Sequence, residues 1–121
     1  MRRSYFWLLL LLVMCAAGCK RSTSGLIDDL KASDSGTRVK AVRTLPDRKG
    51  DAEQVIPALI EALKDDDESV RRGAAYGLGT FGPEAKDAIP ALRVCLTDSD
   101  AGVRKAAKVA LSYIEPAAGS R

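Results

Sequence analysis

Residues 56–81 read IPALIEALKDDDESVRRGAAYGLGTF, and the same pattern is written again 33 positions later. Pro57, Ala58 and Leu59 return as Pro90, Ala91 and Leu92, and Leu63 returns as Leu96. Asp67, Val70, Arg71, Ala74 and Leu78 return as Asp100, Val103, Arg104, Ala107 and Leu111. The same interval taken backwards reaches a weaker copy in Leu26, Leu30, Asp34, Arg38, Ala41 and Leu45. Self-similarity at such a period marks stacked units, none of which buries its apolar side alone.

Inside a unit the apolar spacing is helical. Ile56, Leu59, Ile60 and Leu63 share one face, as do Val70, Ala74, Leu78 and Phe81, which predicts helices over 53–63 and 68–81. Pro57 is expected in a first turn, which has no amide to lose. Asp67 is placed to accept the free amides of the second helix, and Gly82-Pro83 reads as a helix stop. Unit three repeats the scheme through Ile89, Leu92, Leu96, Val103, Ala107, Leu111 and Ile114. Unit one is shorter and more polar. Asp34 or Ser35 caps its second helix, Pro46 ends it, and residues 47–51 form a charged turn. An atypical outer unit is what a solenoid end requires.

Ankyrin units share this length but need a Thr-Pro-Leu-His type turn, and the chain has no histidine. The Trp-Leu-Gly-Tyr pattern of tetratricopeptide units is missing as well. Pro-Ala-Leu followed by Asp-x-x-Val-Arg-x-x-Ala-x-x-x-Leu resembles the HEAT repeat, in the short form named after the phycobilisome lyases. The resemblance implies an all-α fold, an α-solenoid of about three helical hairpins in a right-handed superhelical stack. Its repeats are placed at about 26–49, 53–82 and 84–115 within a domain over 26–115, with a frayed tail at 116–121. In that family the periodic acids and cations form hydrogen-bonded ladders between units; here these are Asp34, Arg38, Asp67, Arg71, Asp100 and Arg104. The second helices of such solenoids line the concave surface. Arg43, Arg72, Tyr76, Lys105 and Lys108 are therefore candidates for a basic, partly aromatic strip that takes an acidic protein partner by forked charge-assisted bonds. Gly73 and Gly77, with Ala106 and Ala110 at the matching positions, suggest close approach of helices between units two and three.

The chain opens differently. Arg2 and Arg3 precede an unbroken apolar run at residues 5–14, and Ala16-Ala17-Gly18 leads to Cys19. That run is too short for a hydrocarbon core, which needs about 20 residues, so residues 1–18 read as a signal peptide. The small residues before Cys19 resemble a bacterial lipoprotein signal. This implies an acylated Cys19, a polar tether over 19–25 and an exported protein anchored at the bacterial cell envelope. Two or more acyl chains make such attachment durable.

Without Arg2 and Arg3 the charge falls from +3 to +1, from 17 cations against 16 acids. The basic footprint expected of a nucleic-acid binder is gone. Without histidine the commonest general base is missing. Cys95 is expected to be buried, not nucleophilic. The acids Asp65–Glu68 and Asp98–Asp100 lack the loop of a calcium hand and read as helix caps. With no phosphate loop or dinucleotide fingerprint, no metal, cofactor or small-molecule ligand is expected. The expected function is a lipid-anchored interaction or scaffolding module. The alternatives are an accessory factor for cofactor attachment, as the lyase resemblance implies, and a subunit of a longer stack.

Overall fold

The protein is described by a computed structural model over residues 20–116. The signal segment 1–18, the lipidation candidate Cys19 and tail residues 117–121 lie outside the described residues. The remainder forms six α-helices: α1 (Thr23–Asp29), α2 (Ser35–Thr44), α3 (Ala52–Ala62), α4 (Glu68–Thr80), α5 (Ile89–Cys95) and α6 (Ala101–Ile114). They pair in chain order into three hairpins, and no strand occurs among the described residues. The fold is an all-α solenoid.

The capping acids act as expected. The carboxylates of Asp34, Asp67 and Asp100 accept from Thr37 N at 2.8 Å, Ser69 N at 2.8 Å and Val103 N at 2.8 Å. Helix α2 ends before Pro46, in a 3-10 turn over Leu45–Asp47. Gly82, at φ 58°, ends α4 in a left-handed conformation that favours glycine.

Two boundaries differ from expectation. Helix α1 starts at Thr23 behind the cap Ser22, inside the stretch read as a tether. The period explains this: Thr23 occupies the position of Ile56 and Ile89, and it is buried because its hydroxyl donates to the Asp51 carboxylate. A polar residue at a core position is invisible to an apolar pattern. Second, α3 begins at Ala52, so Pro57 lies inside that helix and not in its first turn. Its ring is exposed, on a side where a carbonyl deprived of its amide can take water. Pro90 does fall in a first turn, because the 3-10 segment Gly82–Ala88 replaces the start of the corresponding helix.

One core runs through the stack. Leu45, Leu59, Leu78, Leu92, Val70 and Val103 are among its fully buried side chains. The second helices form the tighter layer. Contact between α4 and α6 is the most extensive among the described helices, whereas the first helices of neighbouring units barely touch. Small residues cause this. A Cβ on Gly73 would stand 2.6 Å from Val42 Cγ1, and one on Gly77 would stand 2.7 Å from Pro46 Cγ. A Cβ on Gly79 would lie 3.0 Å from Ala110 Cα. Gly73 and Gly77 therefore close the junction of units one and two, not that of units two and three as expected; Gly79 closes the latter. Gly77 and Gly79, only two positions apart on α4, face opposite neighbours, because two positions carry a side chain roughly halfway round a helix.

Candidate functional site

The inter-unit ladder differs from the expected one. Arg38 donates through Nε and Nη2 to the Asp65 carboxylate at 2.9 and 3.2 Å. Arg71 does the same to Asp98 at 2.9 and 3.0 Å. In both, Nη1 is held by two carbonyls of the arginine's own interhelical turn: Ala32 and Ser33 for Arg38, Asp65 and Asp66 for Arg71. Asp34, Asp67 and Asp100 are not rungs. They are spent on helix amides, and the acids that cross between units are Asp65 and Asp98, both of which had read as part of an acidic turn. Arg104 repeats the inner half of the motif, with Nη1 at 2.7 Å from the Asp98 carbonyl and 3.0 Å from that of Ser99.

The Arg71 hydrogen bonds hold the Asp98 carboxyl below the usual carboxylate range, aided by the Asp100 amide and against some desolvation. A folded-state value below the unfolded one means that the stabilisation is present above about pH 4 and is lost as the carboxylate protonates. The melting temperature is thus expected to fall more steeply below about pH 4 in the wild type than in Asp98→Asn. Parallel thermal melts across that range check it.

Two grooves lie on the second-helix layer. The first, about 410 Å³, runs between α2 and α4 and is lined by Val42, Arg43, Pro46, Arg72, Tyr76 and Thr80 among others. The second, about 590 Å³, runs between α4 and α6 and is lined by Tyr76, Thr80, Phe81, Val109, Ala110 and Tyr113 among others. Tyr76 borders both, and with Tyr113 it is one of the few large apolar side chains left open, at 42% and 63% exposure. Lys49 closes one end: its ammonium donates to the Thr80 carbonyl at 2.7 Å and sits 4.0 Å above the Phe81 ring.

Of the five candidate strip residues, the structure brings Arg43, Arg72 and Tyr76 to one groove. Lys105 and Lys108 are exposed on α6 and line neither groove. Arg72 is half-buried because its guanidinium lies across the start of α6, where a Cβ on Gly102 would meet Arg72 Nη1 at 3.0 Å. Tyr113 and Val109 had no place in the repeat pattern, so the aromatic second groove was not foreseen.

Cys95 is buried, and desolvation, with the Asp98 charge adding to it, pushes its thiol up from the ordinary value. It is held protonated at neutral pH, which is the inert form. No helix among the described residues is long and apolar enough to cross a membrane.

The comparisons with known proteins agree with this geometry. A structure of the complex of CpcE and CpcF of phycocyanin lyase, from a Nostoc species, is similar at a TM-score of 0.71 and 31% identity. The similarity covers 80% of this chain and 38% of that one, so the present chain spans well under half of its neighbour. No curated protein matches the sequence. The HEAT repeats family matches residues 23–112, through all three hairpins, and the chain belongs to that family.

Proposed function

We propose that this protein is a lipid-anchored interaction module, held to the bacterial envelope through Cys19, that binds a protein partner along its second-helix face. The observation that carries the reading is the pair of adjoining grooves sharing Tyr76. One offers aromatic and aliphatic walls, the other Arg43 and Arg72, a pairing of apolar anchor and forked cation that suits an acidic polypeptide. Stacked hairpins hold such a surface rigid before binding, so little ordering entropy is lost.

A photoreactive residue at Tyr113 in intact cells tests this. A specific adduct is expected, and Tyr76→Ala should reduce its yield severalfold. An adduct yield unaffected by Tyr76→Ala, or no adduct, tells against the groove. The anchor is tested separately: Cys19→Ser should lose acyl labelling and leave the membrane fraction.

The similarity to a phycocyanin lyase structure favours a second reading, an accessory role in attaching a cofactor to a protein. Bilin absorbance retained by the purified protein after co-expression with a pigment pathway would support it.

A further inference from the structure

We infer that the outer side of unit three, the last of the described hairpins, is a docking surface for an acidic loop of a partner protein, whose carboxylate is taken by Arg104. The chain shows twice what this guanidinium is built to hold. Arg38 and Arg71 each fix Nη1 on their own turn and present Nε and Nη2 to an aspartate of the following unit. Arg104 has the same inner anchorage. No carboxylate among the described residues pairs with it, and the sequence contains no Asp or Glu outside them. A fork already oriented loses less freedom on binding than a free one.

The surroundings add the charge. Arg71 and Arg72 face unit three through Asp98 and Gly102. Their counterparts one period later are Arg104 and Lys105, and Lys108 stands where Ala75 stands in unit two. This side is therefore basic, while the nearby Arg93 is neutralised by Glu115 at 2.9 Å. It is also no dry continuation of the stack. Where Ile60, Ala75 and Gly79 occupy unit two, unit three has Arg93, Lys108 and Ser112. A partner meets this side through polar and ionic contacts, which are salt-sensitive.

A second copy joined head to tail does not supply the missing rung. The position of Asp65 and Asp98 in unit one is Ala32, which has no carboxylate to offer. Among the described residues the ladder thus has no carboxylate at its first turn and no partner for its last arginine, and this inference goes beyond the groove reading above.

The test uses the full chain in detergent micelles with nitrogen-15 in its arginines, and reads each Nε–H signal by NMR. The probe is a peptide LKDDDES, the chain's own residues 63–69, against a version with asparagine at the Asp65 position. Arg104 is expected to shift saturably while Arg38 and Arg71 stay in place, with roughly tenfold weaker binding of the asparagine peptide. In Arg104→Lys, which has no Nε–H at that position, binding of the same peptide is read by calorimetry and should weaken roughly tenfold, with the Arg71 signal unmoved. No shift, or equal shifts with both peptides, overturns the proposal. So does a shift that depends on the concentration of the chain alone, which would assign the fork to a second copy. A shift removed by amidating the C-terminus would assign it to the chain's own tail and overturn it equally.

Discussion

Gly73→Leu is expected to destabilise the fold by about 3 kcal/mol, the upper part of the range for overpacked sites. At 4–8 °C per kcal/mol for a domain of this size, that lowers the melting temperature by roughly 15 °C. The clash is local: the first added carbon would already stand 2.6 Å from Val42 Cγ1. The β-branched valine has few rotamers in which to retreat, and the remaining carbons of leucine must push α2 from α4. Replacing a helical glycine gains about 1 kcal/mol of intrinsic propensity, which the wedge outweighs. Val42→Ala should rescue a substantial part of the loss in the double variant, although alone it is destabilising. A matching rescue by Ala110→Gly, across the other junction, would show that the contact has been placed in the wrong unit. Chemical denaturation of the four proteins in a double-mutant cycle measures this.

Asp98→Ala is expected to be destabilising by about 2 kcal/mol, because it strips the Arg71 guanidinium of two charge-assisted bonds and the Asp100 amide of its acceptor. The pair is largely shielded, with side-chain exposures of 15% and 13%, so water replaces those bonds incompletely. The contrast is Glu115→Ala. Its partner Arg93 is 62% exposed, and a pair of that kind contributes about 0.5 kcal/mol. Equal effects of the two substitutions would remove the ladder from the account of what joins units two and three. Arg71→Lys alone should be nearly as destabilising as Asp98→Ala, since an ammonium cannot span both carboxylate oxygens and two carbonyls at once.

The placement of these rungs shows where the sequence was informative. An acid four residues before each arginine looks like a pair, but the helix start competes for it, and a free amide two or three residues on wins over a guanidinium turned to its own interhelical turn and the following unit. The crossing acids, Asp65 and Asp98, also repeat at 33 residues. Their signal was present and was masked by the acidic residues around Asp65. The half-buried Arg72 is similar: its neighbour Gly102 is conspicuous only when the two helices are side by side.

By itself the sequence determined the architecture: a period of 33 residues, helical apolar spacing, capping aspartates and a glycine stop admit one arrangement of stacked hairpins. Those features act within a helix or across one turn, so reading along the chain is enough to find them. The tertiary structure alone decided which unit each small residue touches, which carboxylate each arginine takes, and that Tyr76 and Tyr113 border one groove. Such facts depend on distances between residues some thirty positions apart, which are set by the packing of whole helices and not by local pattern.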